Sequence, residues 1–355
     1  MTACDACLRR TALIAALSGH LDVEWRKRDA TARVLALPDE DLLALAPGAA
    51  GGAYARFDAS AARERAKRAR LAVVCRCEDA YPQRLRELAD PPAVLHVAGS
   101  LPADEDAVAI VGARRATAYG LEVARALGRG LSAAGVPVVS GLALGVDSAS
   151  HSGALEAGAS MIAVLASGAD VPYPPSKRQL YAQVVQRGAV VSEMPPGFGP
   201  VRWCFVARNR IIAALSRVTI VVEAAKRSGS LTTADFAAEL GRTVGAVPGR
   251  ITCPQAAGTN GLIQSGAPPV LGLADALDLL ADATGRPLAA RAAPSPPDLD
   301  PALARVLAAV EDGRGAVGEM ASTQDEARAV LAALGELEFR GLIRRSFGGR
   351  YERAL

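Results

Sequence analysis

A chain of 355 residues is too long for one ordinary core and calls for two or three domains. Half of it is hydrophobic and 22% is charged, which supplies a core and excludes global disorder; 4% aromatics suit a tightly packed α/β protein better than a β-sandwich. The formal net charge of +3 is unevenly spread: +3 over residues 1–75, −4 over 76–106, +7 over 107–270, −1 over 271–294 and −2 over 295–355, so a polyanion partner would meet the middle of the chain.

Residues 1–75 read as a small helical domain, with helical patterns over 8–21, 30–37 and 60–71, an acidic start after Pro38, and a break at residues 48–52. No hydrophobic stretch precedes Arg9 and Arg10, and no apolar run approaches the about 18 residues of a membrane span, so a cytoplasmic protein is expected. Six cysteines form no disulfide framework. Cys4-x-x-Cys7 and Cys75-x-Cys77 offer four thiolates to a structural zinc ion, or are incidental free thiols; no metal is assigned. Cys204 and Cys253 have no partner by spacing, and His20, His96 and His151 are too scattered for a catalytic metal.

From residue 107 short continuous runs of Val, Ile and Ala recur at 107–111, 136–139, 161–165, 189–191, 218–222 and 243–247. Continuous rather than alternating runs are how strands buried on both faces of a parallel sheet read. Helical patterns at 119–134, 147–157, 176–186, 209–215 and 231–240 alternate with them, giving a Rossmann-like, doubly wound, mostly parallel α/β fold. A core domain is expected over 76–285, a Pro/Ala linker over 286–300, and a winged-helix-like domain over 301–355, where three helices precede two short strands around a Gly-Gly turn. The helix over 325–338 carries Asp325, Glu326, Glu336 and Glu338 against Arg328, which suits a protein-interaction module better than a duplex reader.

In such a sheet ligands sit beyond the carboxyl ends of the strands, so the turns there hold the candidates. The first contains Gly112, Arg114, Arg115 and Thr117; it is not a dinucleotide fingerprint, and its arginines at a helix N-terminus suit a phosphate. The second has Ser140, Gly141, Gly145, Asp147, Ser148 and His151. A Ser148–His151–Asp147 hydrolase triad is rejected, because adjacent side chains diverge and no nucleophile elbow is present; an Asp147–His151 pair is expected to shape the loop. Next come Lys177, then Arg202, Trp203, Phe205, Arg208, Asn209 and Arg210, where arginines interleave with aromatics as single-strand binding requires, or as a helix start with its aromatics in the core would. Lys226 and Arg227 before Ser228-Gly229-Ser230 have the composition of a phosphate cradle or of a polar helix cap.

The turns stand in a recognisable order over residues 108–267: V-G-x-R-x-x-T-x-Y-G, S-G-L-A-x-G-V-D-x-x-x-H-x-G-A-L, G-A-D-x-x-Y-P, S-E-M-P-P-G, F-x-x-R-N-R-I-I-A-x-L-S, V-V-E-A, S-G-S-L-x-T-A, P-G and G-T-N-x-L-I-x-x-G-A. Together they resemble the DNA-processing protein A family (DprA, also called Smf). The resemblance implies a homodimeric single-stranded-DNA-binding protein, not an enzyme and without a cofactor, that protects incoming DNA in natural transformation and loads the RecA recombinase. It places DNA contacts at Arg114, Phe205, Arg208, Asn209, Arg210, Ser228 and Gly229; charge and position add Lys177 and Arg202. Leu144, Val206 and Ser167 stand where relatives more often have a basic residue, Pro and Gly. The competing expectation is a nucleotide phosphoribohydrolase of the lysine-decarboxylase-like type, whose P-G-G-x-G-T-x-x-E motif is not met by the segment Pro248-Gly249-Arg250-Ile251-Thr252.

Overall fold

The computed structural model describes residues 3–24, 33–45, 48–102, 104–286, 299–345 and 349–353. Part of the helix expected over 30–37, most of the linker and the centre of the Gly-Gly turn lie outside the described residues. Residues 1–289 form one compact unit and residues 290–355 a second.

Eight strands form the sheet of the first unit: β1 (Ala72–Cys75), β2 (Val94–Gly99), β3 (Val108–Val111), β4 (Val138–Ser140), β5 (Met161–Val164), β6 (Ala189–Ser192), β7 (Val218–Val221) and β8 (Thr243–Ala246), in the order β1-β2-β6-β5-β4-β3-β7-β8. From β6 to β8 all neighbours are parallel, whereas β1 and β2 add antiparallel edge pairs. The parallel strands are largely apolar because both faces are covered, with Ser140, Ser192 and Thr219 as buried exceptions. Val108 and Ile110 of β3 face a cluster built by helices Ala118–Ala133, Val146–Ala157, Arg178–Arg187 and Leu273–Thr284. Ala109 and Val111 face the opposite one, built by helices Arg202–Leu215 and Gly229–Glu239.

The domain boundary expected after residue 75 falls inside this sheet, since β1 pairs with β2 in register from Ala72↔Val97 to Cys75↔Val94. Both strands escape a pattern search for physical reasons: β1 is a four-residue edge, and His96 interrupts the apolar run of β2. His96 is nonetheless buried, and burial lowers its pKa to about 4, so near neutral pH it is an uncharged core residue. Helices Asp5–Ala16 and Ser18–Glu24 close Leu13, Leu17 and Leu21 over Trp203.

Helix Arg202–Leu215 starts seven residues before the expected 209. Val201 at its N-cap has no capping side chain. The cap is supplied from 180 residues away: Asp22 Oδ1 accepts from the Arg202 backbone N–H at 3.0 Å and, more weakly, from that of Trp203 at 3.4 Å. Trp203 Nε1 donates to Ser18 Oγ at 2.8 Å. On another face of the helix, Arg210 lies buried between Asp90 at 2.9 Å and Glu193 at 2.6 Å, tying the segment before β2 to the end of β6.

In the second unit helix Pro301–Glu311, a 3-10 turn Val317–Glu319 and helix Gln324–Phe339 precede the antiparallel pair β9 (Ile343–Arg345) and β10 (Tyr351–Arg353). Val306, Val310, Leu334, Leu337, Ile343 and Tyr351 form its core.

Asp22→Ala removes the distant cap and is expected to lower stability by about 0.5–2 kcal/mol in urea denaturation. Arg210→Met strands two buried carboxylates, and a loss of about 3–5 kcal/mol is expected. Burial already holds Asp90 and Glu193 above the ordinary carboxylate range, against the opposing pull of Arg210. A carboxylate raised on folding contributes stability below its unfolded pKa and loses it as pH rises through the folded value. Without Arg210 both are raised further, so the deficit of the variant should be largest near neutral pH and narrow on acidification; a pH-independent deficit would contradict the buried-triad account.

Candidate nucleic-acid interface

The chain runs outward from β3 through β4 and β5 to β6, then returns to place β7 on the other side of β3. The loops after β3 and β7 therefore diverge, and a crevice must open between them at the carboxyl edge of the sheet. It is present as a cleft of about 890 Å³, walled by the turn 111–115, the 225–230 segment and the first half of helix Arg202–Leu215, with Ala143, Asp147, Tyr173, Pro254 and Gln255 completing it.

Two features hold the walls apart. Glu223, buried after β7, accepts from the Thr117 backbone N–H at 2.8 Å and from Thr117 Oγ1 at 2.5 Å. Its carboxylate thus occupies the N-terminus of helix Ala118–Ala133, where the sequence led us to expect a ligand anion, and leaves anion recognition in this turn to Arg114 and Arg115. Asn209 Nδ2 donates to the Gly229 carbonyl at 3.0 Å and to Thr232 Oγ1 at 2.7 Å, fixing the start of helix Gly229–Glu239, which Ser228 caps.

Arg208 forms part of the floor. It is buried, donates from Nη1 to the Val164 carbonyl at 2.7 Å, and lies so close to the turn after β4 that a Cβ on Gly141 would collide with its guanidinium. Burial lowers its pKa to about 10, with Asp147 opposing and Arg114 adding to the shift; it remains a cation at neutral pH. Gly145 adopts φ +81° and passes against the Ala113 carbonyl, a course that a side chain would block.

The rim is different. Arg114, Arg115, Arg202 and Arg227 are exposed, line the cleft, and form no ion pair among the described residues. Asp147 is the one carboxylate among the described lining residues, and it is buried. The Arg114 guanidinium stacks over the Phe205 ring with 4.5 Å to the centroid, and Tyr173 meets the same ring at 5.7 Å and 58°.

Of the residues singled out in the sequence, Gly112, Arg114, Asp147, Arg202, Phe205, Arg208, Asn209, Ser228 and Gly229 line this cleft. Lys177, half-buried in a 3-10 turn, and Arg210, in its ion-pair triad, do not. Ser140 is buried and donates to the Ile110 carbonyl at 2.6 Å. The expected Asp147–His151 pair is replaced by two separate roles. Asp147 accepts weakly from the Ala143 backbone N–H at 3.4 Å and stands beside Arg208, while no hydrogen bond or ion pair joins it to His151. His151 is fully buried, and burial lowers its pKa to about 4. The Ser148 hydroxyl donates to the Ala143 carbonyl. Cys4, Cys7, Cys75 and Cys77 lie outside the cleft lining.

Arg115 and Arg227, whose turns the sequence marked as suited to phosphate, also line the cleft, as do Tyr173 and Gln255, which were not selected from the sequence. Tyr173 carried a usable signal, an aromatic between Pro172 and Pro174 in a post-strand loop, and it is 37% exposed.

The family profile described as DNA recombination-mediator protein A matches residues 72–281. A putative DNA processing protein DprA of Mycobacterium tuberculosis is 45% identical over 187 residues, 52% of this chain and 48% of that protein, so the match spans about half of the relative's length. Protein Smf of Synechocystis is 36% identical over 309 residues, 77% of this chain and 78% of its own. Among solved structures, DNA processing protein A of Streptococcus pneumoniae superposes with a TM-score of 0.62 at 32% identity, covering 78% of this chain and 98% of that one. The Helicobacter pylori protein, described for its single-stranded DNA binding mode, gives 0.54 at 29% identity over 60% and 98%. With a profile match covering more than half of the chain and a relative 36% identical across 78% of its own length, the protein belongs to the DNA recombination-mediator protein A family, the DprA/Smf proteins.

Proposed function

We propose that this protein binds single-stranded DNA in the cleft between the β3 and β7 loops, as a recombination mediator rather than an enzyme. The observation that carries the reading is the set of four exposed arginines, free of ion pairs among the described residues, that converge on a cleft containing an aromatic pair. Guanidinium groups spaced along a groove hold successive phosphates, and rings of any orientation tolerance accept bases of any sequence. Because Arg114 takes one face of Phe205, Tyr173 is the ring assigned to base stacking, and Phe205 positions Arg114. A binding role fits helix Val146–Ala157, where His151 is sealed from solvent and Ser148 is engaged by backbone.

The reading extends to a cytoplasmic homodimer that protects incoming strands in transformation and loads RecA; the family resemblance carries that part. The second unit is assigned to protein contact, because helix Gln324–Phe339 combines an acidic surface with Phe339 at 89% exposure. Mass measurement by light scattering, with and without a short oligonucleotide, tests the dimer.

Equilibrium titration of oligonucleotides against salt tests the cleft. Arg114→Ala should weaken binding to all sequences alike and flatten the slope of log K against log salt by about 0.7, the contribution of one phosphate in a single strand. Tyr173→Ala should cost about 1–3 kcal/mol with little change in slope. Phe205→Ala should reproduce part of the Arg114 effect, since it removes the surface on which that guanidinium rests. A folded Arg114→Ala chain with unaltered affinity and slope, or a preference for duplex over single strand of equal length, would overturn the proposal.

A further inference from the structure

Two pairs of cysteines, with 67 residues between Cys7 and Cys75, converge on one point. The Sγ atoms of Cys4, Cys7, Cys75 and Cys77 all lie within 4.8 Å of one another. Cys7 and Cys77 are separated by 3.7 Å, and Cys4 and Cys77 by 4.0 Å. A tetrahedron of thiolates around zinc, with Zn–S of about 2.3 Å, has edges of about 3.8 Å. Disulfide sulfurs lie about 2.05 Å apart. We propose that these four cysteines form a structural zinc site that fastens the first helix of the chain to the edge of the sheet.

The backbone is shaped to present all four sulfurs. Cys4 is the N-cap of helix Asp5–Ala16, so Cys7, three residues on, lies on the same face one turn later. Cys75 ends β1, and the turn after it closes through Glu78, whose backbone N–H donates to the Cys75 carbonyl at 2.9 Å and whose carboxylate accepts from the Cys75 N–H at 3.0 Å. That turn returns Cys77 to the cluster. The surroundings suit a bound metal thiolate. The Cys4 backbone N–H points at Cys75 Sγ from 3.5 Å, and the helix N-terminus adds positive potential. Arg63 donates to the Ala3 carbonyl at 2.7 Å and pairs with Asp5 at 2.5 Å, bracing the residues on either side of Cys4. Ala3, Leu8, Ala93 and Val94 bury one side, while Cys77 stays exposed and leaves an entry path. Four thiols bind one Zn²⁺ and release four protons to solvent, leaving a closed site with no position for a water. The remaining cysteines, Cys204 and Cys253, lie outside the cluster and serve as internal controls.

The test uses the full chain, purified under reducing conditions from zinc-replete cells. Elemental analysis should give about one zinc per chain, as a closed four-thiolate site requires. Native alkylation followed by mass spectrometry should modify Cys253 and spare the four clustered cysteines. In the Cys4→Ser, Cys77→Ser double variant the zinc content should fall at least about tenfold, with a lowered melting temperature, whereas Cys253→Ser should retain the metal. If the double variant does not fold, the wild-type chain produced with cobalt decides: the visible absorption of a tetrahedral thiolate cobalt site supports the proposal, and its absence opposes it. A metal-free wild-type chain with all four thiols open to alkylation, disulfides among the four, or iron in place of zinc would overturn it.

Discussion

Three consecutive polar side chains, Arg208, Asn209 and Arg210, are all buried in helix Arg202–Leu215, and the position of the cleft depends on them. Successive residues of a helix point about 100° apart, so the three reach different bodies. Arg208 bonds the end of β5, Asn209 the start of helix Gly229–Glu239, and Arg210 the carboxylates of Asp90 and Glu193. A buried charge or donor left without its partner is costly, so each bond resists rotation or sliding of the helix in a different direction. Phe205 and Arg202, about one and two turns upstream, are thereby held at the mouth of the crevice.

Two groups of arginines differ in their partners. Arg84, Arg125, Arg210, Arg217 and Arg242 each meet a carboxylate and are consumed by the fold. Those at the rim of the cleft meet none among the described residues. Four exposed arginines of residues 107–270 therefore keep their charge at the cleft, and concentration of one sign in a groove is what attracts a polyanion. Glu223 sharpens this division by filling a helix N-terminus with an internal carboxylate.

The N-terminal helices belong to the same mechanical chain. Helix Asp5–Ala16 meets the end of β1 at the cysteine cluster, and the next helix supplies Ser18 and Asp22 to the start of helix Arg202–Leu215. Support for the cleft thus begins at the first described residues, which explains why this helical segment shares one compact unit with the sheet.

The six parallel strands were legible in the sequence because burial on both faces favours continuous, mostly apolar runs, as in Val108–Val111 and Met161–Val164. The order of the turns was legible because tight approaches demand particular residues, such as Gly141 beneath Arg208. The two antiparallel strands were not, being short or broken by a buried histidine, nor was the start of helix Arg202–Leu215, whose cap comes from Asp22. Least legible was the fate of each arginine. Arg208 and Arg210 stand two residues apart in one motif, yet a helix turns them about 200° from each other, one to the cleft floor and one to an internal ion pair. Residue type and local period are properties of the sequence; which cation keeps a free face depends on carboxylates brought from elsewhere in the chain, and only the tertiary structure decides that.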